Sequence, residues 1–165
     1  MGTAALLTIA ALIVPTSTAS ADGCKVINSV SPTVMLCGRV YNQSTKPLYT
    51  TTVLDFPDAD EDEARDGGKD DPPHECELWN GEGNSSPATR KVGCYQVELA
   101  PGSSRGGNYV DVDAFTYADR EYLIDFHGKL SWQTEGVWTR IRSWESAYCY
   151  TDPGFGFPTC LIKYL

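Results

Sequence analysis

The hydrophobic residues of this chain come in short β-branched and aromatic runs, separated by Gly, Pro and Asn clusters. Beyond the first twenty or so residues, no segment keeps the 3.6-residue apolar repeat of an amphipathic helix. The pattern predicts strands at Val34 to Tyr41, Leu48 to Leu54, Val92 to Leu99, Tyr109 to Phe115, Tyr122 to Phe126, Val137 to Trp144, Ala147 to Thr151 and Cys160 to Tyr164. The segment from Asn42 to Pro47 reads as the turn between the first two. Between Tyr109 and Phe115, Val110, Val112 and Ala114 alternate with Asp111 and Asp113, which places both carboxylates on the face expected to meet water. Short strands punctuated by turns point to an all-β fold, an antiparallel β-sandwich or small barrel.

Two features add compartment and covalent framework. Residues Ala4 to Val14 form an apolar run that Pro15 breaks, and Ala19-Ser20-Ala21 then offers small residues for a signal peptidase. The run is too short to span a bilayer and predicts a signal peptide over 1–21, although Met1-Gly2-Thr3 carries no base. The remaining 22–165 is one domain's worth of chain. It holds all six cysteines, Cys24, Cys37, Cys76, Cys94, Cys149 and Cys160. An even count behind a leader predicts three disulfides in a secreted, extracellular protein. Short loops close at the least entropic cost, which favours 24–37, 76–94 and 149–160. A bridge between facing sheets is the competing arrangement for Cys37 and Cys94.

Charge then isolates one region. Residues Asp55 to Glu77 hold eleven carboxylates and two bases, Arg65 and Lys69, so this tract carries the whole formal charge of −9. It opens a long insertion, 55–91, whose composition leaves little apolar area to offset the entropy of ordering it. A solvated loop is the plain reading. A docking element for a partner with a basic cleft is the functional one, with Asp58, Asp60, Glu61, Asp62 and Glu63 at its centre. Asp58, Asp60 and Asp62 also have the spacing that opens an EF-hand loop, but Glu63 stands where Gly is needed and Lys69 where Glu is needed. A weak calcium site of another geometry is the one cofactor the sequence leaves room for. The negative balance argues against nucleic acid and against anionic membrane as partners. Asn42 and Asn84 begin N-x-S sequons, glycan acceptors in a eukaryotic secretory pathway.

Catalytic chemistry finds little footing. Strand geometry would put Asp125 and His127 on one face, the orienting half of a Ser-His-Asp arrangement, yet no nucleophile elbow accompanies them. An exposed polar pair at a strand end is the simpler reading. His74 lies in the acidic region without a chemical partner. No C-x-x-C pair indicates zinc. The chain therefore reads as a non-enzyme.

The C-terminal third is rich in aromatics. Along Val137 to Trp144, residues Trp138, Arg140, Arg142 and Trp144 would share one face, a surface ladder of the residue types enriched at interface hot spots. The competing reading puts both tryptophans in the core. Phe155 and Phe157 lie in a Gly- and Pro-rich loop flanked by Cys149 and Cys160, the kind of braced loop that loses little entropy on binding. These features together predict a secreted, non-catalytic protein–protein interaction module, an adaptor or accessory subunit of an extracellular complex. A protease inhibitor or toxin-like effector is the alternative. A carbohydrate-binding protein using exposed Trp faces comes third.

Overall fold

The computed structural model describes residues 24–27, 34–55, 74–79, 89–107 and 109–165. The predicted leader over 1–21 and the centre of the acidic tract, Asp58 to Glu63, lie outside the described residues. Among those described there are fifteen strands and no helix. In chain order they are β1 (Lys25–Ile27), β2 (Val34–Leu36), β3 (Arg39–Gln43), β4 (Leu48–Thr51), β5 (Leu54–Asp55), β6 (His74–Trp79), β7 (Thr89–Cys94) and β8 (Val97–Leu99), then β9 (Ser104–Gly106), β10 (Ala114–Thr116), β11 (Tyr122–Phe126), β12 (Lys129–Gln133), β13 (Val137–Arg140), β14 (Glu145–Thr151) and β15 (Pro158–Tyr164). The all-β expectation holds.

Two large sheets carry the fold. One has seven strands in the order β5-β7-β6-β13-β10-β4-β8, and the other six, β12-β11-β15-β14-β3-β9. Strands β1 and β2 make a separate hairpin. Three pairs run parallel, namely β11 with β15, β13 with β6 and β14 with β3, so the sheets are mixed rather than antiparallel throughout. None of these pairs is joined by a tight turn, and a hairpin connection is what would force strands antiparallel.

The seven-stranded sheet cannot lie flat. Strands β4 and β5 are joined through Thr52 and Val53 alone, yet β5 is at one edge and β4 lies next to the other. Strands β7 and β8 are likewise joined through Tyr95 and Gln96 alone, although they too stand near opposite edges. Connections this short require the sheet to curl until its edges approach, a half-barrel. The curl creates two cores. Leu54, Cys76, Leu78, Val92, Cys94, Ala114 and Trp138 fill its concave side. Phe115, Leu48, Ile141 and Tyr117 on the other side pack with Val40, Tyr122, Ile124 and Ile162 from the six-stranded sheet.

Two runs expected to be continuous strands are broken, one where the chain passes from the β1–β2 hairpin to the six-stranded sheet and one where it crosses between the approaching edges of the seven-stranded sheet. Val34 to Tyr41 divides at Cys37-Gly38, and Val92 to Leu99 divides at Tyr95-Gln96. Strand β6, inside the segment expected to be an unstructured insertion, was hidden by its acids. Glu75 and Glu77 are exposed while Cys76 and Leu78 are buried, an ordinary half-buried alternation.

All three disulfides form in the short-range pairing, Cys24–Cys37, Cys76–Cys94 and Cys149–Cys160. Each ties neighbouring antiparallel strands. Cys149 stands directly opposite Cys160 in the β14–β15 pair, and Cys76 and Cys94 sit diagonally across β6 and β7. The arrangement is compatible with an extracellular location.

Candidate functional site

The β14–β15 hairpin closes with Thr151 opposite Pro158, leaving Asp152 to Phe157 as its loop. Asp152 organises that loop. Its Oδ1 accepts the backbone N–H groups of Gly154 (2.8 Å) and Phe155 (3.0 Å). Its carbonyl accepts the Gly156 N–H at 2.8 Å, and its own N–H donates to the Phe157 carbonyl at 3.0 Å. Gly156 supplies the positive φ of 75° that the turn needs. Four hydrogen bonds and the adjacent Cys149–Cys160 bridge thus fix a six-residue loop.

The loop holds its aromatic side chains outward. Phe155 is 77% exposed, and its ring stacks on that of Phe157 with centroids 5.4 Å apart. Phe157 packs in turn on Trp132 of β12 at 4.7 Å. Trp132 is 55% exposed and lies on the outer face of the six-stranded sheet, opposite Leu123. Further along that face Tyr41 and Tyr148 stack almost parallel, 4.7 Å apart, with Arg39 and Lys163 over their rings. The result is an apolar, aromatic platform with a cationic margin.

The other expected site residues fall elsewhere. Trp138 is only 2% exposed and belongs to the concave core, so the surface ladder Trp138–Arg140–Arg142–Trp144 does not form. The curl covers both faces of β13, and a strand buried on both sides has no solvent face for such a ladder. Strand β13 also ends at Arg140, which leaves Arg142 and Trp144 in the link to β14. Trp144 is half-buried under Lys25, whose Nζ lies 4.5 Å from the ring centroid. The sugar platform expected from Trp138 and Trp144 loses its first member. Asp58, Asp60, Glu61, Asp62 and Glu63 lie outside the described residues.

His127 pairs with a residue that sequence spacing did not suggest. It occupies a positive-φ turn position (51°) and its Nε2 lies 2.9 Å from Glu145 Oε1. Asp125 instead accepts the Gly128 N–H in the same turn. Glu145 is fully buried, and its Oε2 accepts the Arg142 backbone N–H at 2.8 Å while Arg142 Nη1 lies 3.3 Å from Oε1. Tyr164 stacks on the His127 ring at 3.9 Å, and Phe126 meets it edge-on. These contacts make the cluster a clamp joining the β11–β12 turn to the start of β14.

Asp111 and Asp113, expected at the surface, are both buried. Asp111 accepts the Gly38 N–H and the Ser143 hydroxyl, the latter at 2.7 Å. Burial pushes its carboxyl above the usual range, and those two hydrogen bonds offset part of the rise. Burial also raises Tyr117 to about 12, against a hydrogen bond to Ser44. The sequon residue Asn42 is wholly buried, its Nδ2 donating to the carbonyls of Lys46 and Leu99, so in the folded protein it cannot present an amide to a glycan. Among the described residues no cluster of His, Cys, Asp and Glu has the geometry to hold a metal ion.

The aromatic loop is thus the feature the sequence located and the fold exposes, whereas Trp132 was missed as its companion, because β12 was not expected as a strand. Compared with protein-family models, with curated proteins and with solved structures, the chain matches none.

Proposed function

We propose that this protein is a secreted recognition module that works by contact with an extracellular protein partner rather than by catalysis. The observation that supports this most is the rigid display of Phe155, Phe157 and Trp132. Large aromatics left in water have an energetic cost that burial in a partner's pocket recovers. A loop already fixed by four hydrogen bonds loses little further entropy when it docks. The acidic residues Asp58, Asp60, Glu61, Asp62 and Glu63 would act at longer range, drawing a basic cleft toward the molecule.

The test is capture from native secretions by wild type, by Phe155→Ala, and by a variant with those five acids changed to Asn or Gln. Truncating a buried aromatic anchor costs about 2–4 kcal/mol, so Phe155→Ala should lose the wild-type partner. The neutralised variant should retain it with slower association and weaker salt dependence. A partner profile unchanged by Phe155→Ala would refute the assignment.

A second reading draws on the same loop. A convex, hydrogen-bonded loop next to a disulfide is also how a protease inhibitor fills a specificity pocket, here with an aromatic side chain. Purified protein assayed against proteases that prefer aromatic residues separates the two. Stoichiometric inhibition lost in Phe155→Ala would favour the inhibitor, and no inhibition leaves the adaptor reading in place.

A further inference from the structure

The six-stranded sheet ends in β12, and among the described residues no strand pairs with its outer side. Its register with β11 runs unbroken over five residues, without a bulge or a proline. Bulges and prolines are two of the devices that ordinarily protect an edge, and the one charge on β12, Lys129, stands at its turn end. The β11–β12 hairpin turns on His127 and Gly128, whose φ values of 51° and 86° are those of a two-residue type I′ turn. In such a hairpin the closing pair, Phe126 and Lys129, exchanges hydrogen bonds, and so do Ile124 with Ser131 and Tyr122 with Gln133. Leu130 and Trp132 therefore turn their backbone N–H and C=O groups away from the sheet. Their side chains are also exposed, Leu130 by 69% and Trp132 by 55%.

This edge is complementary to itself. Laid antiparallel against a second β12 about a twofold axis through Ser131, Leu130 of each copy stands opposite Trp132 of the other. Both pairs would be hydrogen-bonded pairs, and each would match an aliphatic side chain with an aromatic one. The small Ser131 meets its own copy on the inner face, so the cores do not collide. Lys129 stands opposite Gln133, and the Lys129 end of one strand runs beside the Glu135 end of the other. No like charges stand opposite each other along the paired strands. We propose that a second copy of this chain docks on β12, joining the two six-stranded sheets into one.

The axis is perpendicular to the sheet, so both Phe155 loops would face the same side. A dimer of this kind would present its partner with two anchors and gain avidity without any new contact. The dimer does not rest on the proposed function, because Phe155→Ala should leave it intact while abolishing partner capture.

The test is sedimentation of the full-length secreted protein over micromolar to millimolar concentration. Wild type should move from monomer to dimer. Leu130→Asp would place an unpaired carboxylate against Trp132 twice per dimer, and should weaken association roughly a hundred-fold. Trp132→Lys should do the same by facing an ammonium to Leu130. The Leu130 side chain is mostly exposed, so Leu130→Asp should unfold at the wild-type temperature. Mixing the two variants pairs carboxylate with ammonium on one side and restores Leu130 with Trp132 on the other, so a heterodimer should form from two monomers. A wild type that stays monomeric at millimolar concentration, a dimer indifferent to Leu130→Asp, or a mixture that fails to associate would each overturn the proposal.

Discussion

Two replacements of Asp111 should separate hydrogen bonding from charge in the link between the sheets. Asp111 accepts the Gly38 N–H and the Ser143 hydroxyl from a buried position. Changing it to Ala leaves the buried Gly38 donor without an acceptor, which costs about 1–3 kcal/mol. The half-buried Ser143 hydroxyl can turn to water and adds less than about 1 kcal/mol. Asp111→Asn keeps both contacts, its Oδ1 accepting from Gly38 and its Nδ2 donating to the Ser143 oxygen, so stability at neutral pH should stay within about 1 kcal/mol of wild type. The two variants should also differ in pH dependence. Burial raises the folded carboxyl above its unfolded value, so the folded protein holds this proton more tightly. The stability the group contributes is therefore greatest below the ordinary aspartate pKa of about 4 and is lost as pH rises through the folded value. Urea unfolding followed by tryptophan fluorescence, with disulfides intact, measures both effects. Asp111→Asn should gain on wild type between about pH 4 and pH 7. A cost below about 0.5 kcal/mol for Asp111→Ala, or wild type gaining on Asp111→Asn over that range, would refute the reasoning.

Glu145→Ala strands the Arg142 backbone N–H and removes the acceptor for His127 and the Arg142 guanidinium, so it should destabilise by about 2–4 kcal/mol in the same urea assay. Replacing Cys149 and Cys160 together by Ser should cost about 2–4 kcal/mol. It should also raise amide exchange across residues 152–158 more than in the remaining sheet. Tyr117 is held to about 12 and Tyr122 is raised as well by burial, so the folded protein keeps protons that the unfolded chain releases near pH 10. Stability should be unaffected by these groups below about pH 10 and fall as pH rises toward 12, with phenolate absorbance appearing together with unfolding.

The clearest sequence signals were those where one face of a strand met water. Tyr122 to Phe126 alternates buried and half-buried residues as expected, and the cysteines pair as their spacing suggested. Misreadings cluster where that assumption fails. Trp138 lies on a strand covered on both sides, because the seven-stranded sheet curls around a second core, and no polar face marks such a strand. At Asp111 and Asp113 the chain is not in a strand at all, since Tyr109 takes a φ of 74° and pairing resumes only at Ala114. Two-residue periodicity then no longer tells which side chain points inward. The His127–Glu145 pair reaches across the end of β15 and depends on a turn at His127-Gly128 that lacks the usual Asn-Gly signature. Trp132 was visible as an aromatic residue. Its meeting with Phe157 depends on β12 and the β14–β15 loop lying side by side, which local pattern does not encode.

The proposed partner contact of the loop that carries Phe155 can be tested directly. Hydrogen exchange of the free protein, and of the protein bound to whatever partner the proposed capture yields, would map the contact by peptide. Protection centred on residues 152–158 and on Trp132 is the expected result. Protection confined to the seven-stranded sheet, with the Phe155 loop exchanging as it does in the free protein, would contradict it.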